Sequence, residues 1–201
     1  MKKIAYLLVA LALTCSGQAF ADNLSPTDDA GVTNGLLANT NYGDLGTMST
    51  SSNALVTNRS YLKFDLTQYS NIESATLYLY NTNLSGSVNV STYLAANNWD
   101  EDTVTWNNKP SLSGTPVVTT VGSHNWYSWN VTSWADLAVG NDFSLGLTSS
   151  GSRIFLTSES LLANKPYLCV TGTMVPEPVS TILFITGGSV LLARRMRKVK
   201  K

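Results

Sequence analysis

Residues 59–66, RSYLKFDL, alternate apolar and polar side chains with a period of two. Leu62 and Phe64 fall on one face of an extended chain, whereas Tyr61 and Lys63 fall on the other. This alternation is typical of a strand with one buried and one solvated face. We therefore predict a sheet whose core lies on the Leu62 side.

The same alternation recurs along most of the chain, with Asn-, Gly-, Ser- and Pro-rich turns between the segments. Only residues 131–142 are helical in pattern, with Thr132 or Ser133 as the N-cap and Gly140 as the stop. Nine or ten short strands and one small helix predict an all-β fold, an antiparallel β-sandwich or jelly roll. The alternating segments are ATLYLYN (75–81), SVNVSTYL (87–94), TPVVTTV (115–121), NWYSWNV (125–131), DFSLGLTSS (142–150), RIFLTS (153–158) and PYLCVTG (166–172).

The N-terminus, residues 1–21, has the pattern of a secretory signal peptide. Two lysines precede an apolar run at 4–13, and a small-residue Ala-Phe-Ala tripeptide ends the segment. We expect cleavage before Asp22, with residues 22–27 as a loose leader. The alternative is a lipoprotein signal with Cys15 as the lipidated residue.

Without its two ends the chain is acidic. Residues 22–175 hold five cations and twelve acids, a net charge of −7. This charge argues against non-specific nucleic-acid binding, which needs a basic face. That segment has one cysteine, Cys169, so no internal disulfide forms and one packed core must stabilise it. Alternation directs Leu168 and Val170 inward and Cys169 outward.

Seven segments occur in a characteristic order along the chain, from NTNYG (39–43) through WDEDTVTWNNKPS (99–111) to NKPYLCVT (164–171). Together they resemble the DNRLRE domain, a secreted β-sandwich related to carbohydrate-binding modules. The resemblance covers about residues 28–173, within a predicted domain at 22–173. Members of that family usually carry an Arg-Glu pair after the serine of FLTSES. This chain has the glutamate, Glu159, but not the arginine. The resemblance implies the fold and, more loosely, a glycan ligand. The segments are NTNYG (39–43), RSYLKFDL (59–66), SATLYLY (74–80), WDEDTVTWNNKPS (99–111), WNVTSWADLAVG (129–140), FSLGLTSSGSRIFLTSES (143–160) and NKPYLCVT (164–171).

The C-terminus, residues 174–201, resembles a PEP-CTERM sorting signal of Gram-negative bacteria. An uncharged run at 179–193 separates a Pro-Glu-Pro tripeptide from a basic tail; the signal residues are Pro176, Glu177, Pro178, Arg194 and Arg195. The resemblance implies an exosortase as partner. The run would span about 22 Å as a helix, against a hydrocarbon core of roughly 30 Å. We therefore expect a transient membrane stop rather than the alternative, a permanent anchor, with the basic tail inside and the domain outside.

Aromatic side chains are the first candidates for a glycan site, because the C–H faces of sugars stack on aromatic rings. Two of them, Trp99 and Trp106, are expected to cap the core. Trp126 and Trp129 fall on opposite faces of a strand, so one of them, with Tyr127 or Tyr78, is expected to form an exposed stacking surface.

The five cations are the second group of candidates. The resemblance implies that an acidic polysaccharide such as alginate would need cations to meet its carboxylates, and Arg does this in bidentate fashion. The alternative is that some pair with acids of the chain, such as Asp65 or Glu159. The candidates are Arg59, Lys63, Lys109, Arg153 and Lys165.

Metal binding and catalysis find less support. Asp28, Asp29 and the acids at 100–102 offer oxygen ligands for Ca²⁺, but without the spacing of a calcium loop, and solvated turns explain them more simply. His124 is the only histidine, and the chain has no Gly-x-Ser-x-Gly or His-Glu-x-x-His motif. We predict no catalytic residue and no required cofactor.

We therefore predict an exported, non-enzymatic protein that associates with extracellular polysaccharide, with uronate-rich polymers as one class of ligand. Its expected location is the cell surface, outer envelope or extracellular matrix of a Gram-negative bacterium, with transient membrane contact through 179–193. A structural or adhesive matrix protein that binds no glycan is the alternative. A polysaccharide-degrading enzyme ranks third.

Overall fold

The computed structural model describes residues 19–53 and 55–175. These residues form eleven strands, one α-helix, α1 (Thr132–Leu137), and a short 3-10 helix at Gly35–Leu37. The strands are β1 (Ala19–Leu24), β2 (Asp28–Thr33), β3 (Thr47–Ser52), β4 (Thr57–Asp65), β5 (Tyr69–Asn81), β6 (Val88–Ala95), β7 (Leu112–Val121), β8 (Asn125–Asn130), β9 (Asp142–Ser149), β10 (Arg153–Leu156) and β11 (Tyr167–Met174).

The strands form an antiparallel β-sandwich, as the alternation predicts. In the first sheet β1 pairs with β11, β11 with β5, and β5 also with β8 and β10. In the second sheet β2, β4, β9, β6 and β7 are neighbours in that order. Strand β3 joins the sheets, because its first part pairs with β10 and its last two residues pair with β4.

The main core lies between the two sheets. Leu62 and Phe64 of β4 are fully buried opposite Leu145 and Phe143 of β9, as the period of two predicts. The first sheet contributes Leu77 and Leu79 and the other alternate residues of β5. On β11, Leu168 and Val170 are buried and Cys169 is only half-buried, which confirms their predicted directions.

The prediction of a loose leader is wrong for Asp22, Asn23 and Leu24. These residues belong to β1 and pair in register with Val170, Cys169 and Leu168 of β11. A short strand such as β1, with the sequence AFADNL, has too little alternation to be recognised from sequence. It forms because the edge of β11 supplies hydrogen-bond partners for its backbone.

The outer face of the second sheet is buried too, so the expectation that Tyr61 and Lys63 face solvent is wrong. The 96–111 segment folds over this face and makes a second small core of Ala30, Val32, Tyr61, Ala95, Trp99 and Val104, with Trp106 and Leu112 packed against it. This confirms the capping role expected for the two tryptophans of that segment.

Gly146 shows how closely the outer face is covered. A Cβ atom at this position would lie 2.3 Å from Leu112 Cδ2 and 3.0 Å from Tyr61 Cε1. A side chain at this position would have to displace the Leu112 methyl group and press on the Tyr61 ring. The absence of its side chain lets Leu112 pack directly on the sheet.

The α-helix begins at Thr132 and its N-cap is Val131, so the prediction of Thr132 or Ser133 as the N-cap is wrong. The Asn130 Oδ1 accepts from the Thr132 N–H at 3.1 Å. Gly140, after its end, has a φ of +78°, a conformation that favours glycine. In the described residues no helix is long and apolar enough to cross a membrane. The predicted signal peptide (apart from residues 19–21), the apolar run at 179–193 and the sorting residues lie outside the described residues.

Candidate functional site

Four aromatic side chains meet on the outer face of the first sheet. We call Tyr78, Tyr80, Trp126 and Tyr167 the aromatic surface. Tyr80 of β5 lies directly opposite Trp126 of β8, so the two side chains project from the same face. Tyr167 opens β11, which is the neighbour of β5. All four are half-buried, and each retains exposed area.

The rings of the aromatic surface contact one another in a chain. Tyr78 and Tyr167 are stacked, with centroids 4.9 Å apart and planes inclined by 12°. Trp126 meets Tyr167 at 5.4 Å and 63°, and it meets Tyr80 at 5.3 Å and 72°. These are the offset and edge-to-face geometries that aromatic pairs prefer. The exposed ring of His124 extends the chain, 5.0 Å from Tyr80.

Of the predicted stacking residues on β8, only Trp126 belongs to this surface. Trp129 is 1% exposed, and its Nε1 donates to the Val90 carbonyl oxygen at 3.1 Å. Tyr127 lies opposite the buried Leu79, and its hydroxyl donates to the Ser123 carbonyl oxygen at 2.9 Å. The alternation predicted that one of the two tryptophans is exposed and left open which; the structure shows that it is Trp126, with Tyr78 rather than Tyr127 beside it.

Two of the five candidate cations, Lys63 and Arg153, are buried and bind groups inside the protein. Lys63 Nζ lies 3.1 Å from Asp28 Oδ2 and 4.8 Å from the centre of the Trp99 ring, and it donates to the Trp99 carbonyl oxygen. Arg153 is 4% exposed and donates from Nε and Nη2 to the Val121 carbonyl oxygen. Both side chains hold backbone together and are not presented to a ligand.

Arg59 and Lys109 instead converge on Trp106, and we call these three residues the basic cluster. Arg59 Cζ lies 5.3 Å from the Trp106 ring centre, and Lys109 Nζ lies 4.0 Å from it. Lys109 also donates to the Trp106 carbonyl oxygen at 2.8 Å. Burial, and then the neighbouring Arg59 charge, lowers the pKa of Lys109. All three residues are half-buried, and Arg59 Nε is buried without a hydrogen-bond partner.

The remaining candidates do not form a site. Lys165 is exposed two residues before Tyr167. Asp100 and Asp102 are exposed, as a solvated turn requires, whereas Glu101 between them is half-buried. Asp28 and Asp29 instead begin β2, Asp28 half-buried beside Lys63 and Asp29 fully buried, so the interpretation as a solvated turn is wrong for this pair. Within residues 19–53 and 55–175, no group of three His, Cys, Asp or Glu side chains is arranged to hold a metal ion.

Sequence reasoning missed Tyr80, Tyr167 and His124 as members of the aromatic cluster. Tyr80 was detectable, because it shares the alternation of Tyr78 on β5. Tyr167 was not, because its position depends on β11 lying beside β5, a pairing between segments about 90 residues apart in the chain.

The family model described as carbohydrate-binding module family 96 matches residues 21–172. No curated protein matches the chain.

Proposed function

The chain belongs to carbohydrate-binding module family 96, and from this premise we propose that it binds extracellular polysaccharide without cleaving it, through the aromatic surface. Carbohydrate-binding modules are typically non-catalytic, and the expectation of a glycan ligand agrees with this membership. The observation that carries the proposal is the contact chain from Tyr78 through Tyr167 and Trp126 to Tyr80.

The geometry of the aromatic surface suits sugar rings in two ways. The rings stand on strands of a sheet rather than on loops, so the backbone fixes their spacing. They also pack against each other, which reduces the side-chain freedom that a ligand would have to remove. A polysaccharide laid along this face would stack the C–H faces of successive sugars against successive rings.

A second candidate ligand, a uronate-containing polysaccharide, is favoured by the basic cluster. Arg59 and Lys109 place two positive charges beside one ring, and a uronate offers both a carboxylate and an apolar ring face. Guanidinium groups bind carboxylates through paired hydrogen bonds. The net charge of −7 on residues 22–175 opposes the approach of a polyanion over longer distances.

We further propose that the chain is exported, that its domain is of the DNRLRE type, and that an exosortase processes its C-terminus near Pro176, which would deliver the domain to the cell surface or matrix. The signal-peptide pattern, the Pro-Glu-Pro tripeptide and the basic tail support this route. Mass spectrometry of the protein from cells and medium tests it: an intact tail would refute the processing step.

Affinity electrophoresis tests the binding function. The full chain, kept soluble in a nonionic detergent without a sugar headgroup, is run in gels containing alginate, other uronate polymers or neutral glucans. Retardation by at least one polymer is expected. The absence of retardation in every gel would favour the competing role, a structural or adhesive protein without glycan binding, and release of sugar fragments would favour an enzyme.

A further inference from the structure

Two carboxyl groups meet inside the protein, each with one oxygen that lacks a partner. Asp29 of β2 is fully buried; its Oδ2 accepts from the Ser158 backbone N–H at 2.9 Å, and its Oδ1 accepts nothing. Glu159 Oε1 accepts from the Ser158 hydroxyl, and its buried Oε2 is also unpartnered. The two carboxyl groups therefore bind the same residue, Asp29 through the Ser158 N–H and Glu159 through the Ser158 hydroxyl.

The charged groups around this pair are mostly acids. Glu101 approaches from the 96–111 segment, where its Oε2 accepts from the Asp29 backbone N–H at 2.9 Å, with Asp102 beside it. Lys63 of β4 is committed to Asp28. Asp44, the one charged residue of the 41–46 segment, is exposed. Two ionised carboxylates at this place would therefore repel each other without a cation to compensate them.

We propose that Asp29 and Glu159 share one proton in a hydrogen bond between a carboxylic acid and a carboxylate, and that this bond latches β2 to the 157–160 segment. One proton satisfies both unpartnered oxygens, because the acid form donates and the carboxylate accepts. The pKa of Asp29 is raised to about 7, mainly by burial and in smaller part by the neighbouring Glu159, against the lowering effect of the Ser158 N–H.

The 157–160 segment is also hydrogen-bonded to the 41–46 segment, through Thr157. Thr157 Oγ1 donates to the Leu45 carbonyl oxygen at 2.6 Å, and Thr157 N donates to the Gly46 carbonyl oxygen at 3.4 Å. Leu45 and Tyr42 line a shallow cavity of about 400 Å³ on this side of the sandwich. When the shared proton leaves for solvent near neutral pH, repulsion between Asp29 and Glu159 should loosen the 157–160 segment and, through Thr157, the wall of this cavity.

Carbon-13 NMR of the side-chain carboxyls in the full chain tests the shared proton. We expect the Asp29 Cγ resonance to titrate near pH 7. Hydrogen exchange of the 157–160 amides, corrected for the intrinsic pH effect, should accelerate above that pH. Titration of Asp29 below pH 5 would overturn the proposal.

Variants separate a proton from a cation as occupant of the site. In Asp29→Asn and Glu159→Gln an amide supplies a permanent donor, so the exchange of the 157–160 amides should lose its acceleration above neutral pH. Glu73→Gln, which removes an exposed acid elsewhere, should leave the acceleration unchanged.

If Ca²⁺ alone protects these amides at pH 8 in the unmodified chain but not in Glu159→Gln, the site holds a cation and the proposal fails. The NMR titration needs no substitution, so it decides the question even if a variant does not fold.

Discussion

Tyr78 and Tyr167 stack face to face across the neighbouring strands β5 and β11, with ring centroids 4.9 Å apart. Although they are 89 positions apart in the sequence, the sheet brings them together. Tyr167 also contacts Trp126, so it links the β5 and β8 parts of the aromatic surface. This contact gives the surface its continuity.

Removal of the Tyr167 ring should weaken glycan binding by loosening its neighbours. We expect Tyr167→Ala to raise the dissociation constant about tenfold, in line with the loss of one aromatic interface residue. Tyr167→Phe keeps the ring and should restore most of the affinity. Isothermal titration with whichever polysaccharide retards the chain measures both, and equal losses in the two variants would show that the hydroxyl, not the stack, matters.

The basic cluster should govern binding of uronate polymers alone. Lys109→Ala and Arg59→Ala are each expected to weaken retardation by alginate several-fold and to reduce its sensitivity to salt, because fewer ion pairs form. Retardation by neutral glucans should not change. Lys165→Ala removes an exposed cation outside the cluster and serves as the control. If it weakened retardation by alginate equally, the overall charge of the protein and not the basic cluster would govern binding.

Lys63 is expected to contribute mainly to stability. In Lys63→Met, Asp28 loses its partner in a largely buried place, and loss of one partner of such a pair costs about 3 kcal/mol. Denaturant unfolding should show this decrease in the free energy of unfolding, with an effect below about 0.5 kcal/mol for the exposed-site control Lys165→Met. A decrease as small as the control's would mean that the pair carries little energy.

Gly146 should not accept a side chain. Gly146→Ala places a methyl group against Leu112 and Tyr61, and overpacking of this kind costs about 1–3 kcal/mol. The double variant Gly146→Ala/Leu112→Ala should lose less stability than the sum of the single variants, because the second change makes room for the first. Additive losses in thermal or denaturant unfolding would contradict this explanation.

The Asp29–Glu159 pair predicts a defined dependence of stability on pH. The pKa of Asp29 is raised from 3.8 to about 7 in the folded protein. Between these values the folded state holds a proton that the unfolded state has lost, so this group's contribution falls as pH rises from about 4 to about 7 and is then constant. The melting temperature of Asp29→Asn relative to the unmodified chain should therefore rise over that interval. A difference independent of pH would contradict the raised pKa.

The sequence predicted the fold where one face of a strand is apolar and the other polar, as in β5 and β11. It failed at Tyr61 and Lys63 because the 96–111 segment covers that face, and no local pattern reports such a cover. Strand β1 was missed for a related reason. It is a strand because the edge of β11 offers hydrogen-bond partners, and its own composition does not show this.

The candidate site could be predicted only in part. Alternation predicted that either Trp126 or Trp129 is exposed, with Tyr127 or Tyr78, but which of them is exposed and the stack with Tyr167 depend on how the strands pack. The separation of the cations into interior groups, such as Arg153, and a surface cluster around Trp106 depends on which backbone oxygens lie nearby.

The central claim is that the aromatic surface binds glycan, and Trp126 lies at its centre. Affinity electrophoresis of Trp126→Ala, beside the unmodified chain and Trp134→Ala, tests it most directly. Trp134 is a matched control because it is also half-buried but lies on α1. We predict that the polysaccharide gel retards the unmodified chain and Trp134→Ala but no longer retards folded Trp126→Ala. Undiminished retardation of folded Trp126→Ala would contradict the claim.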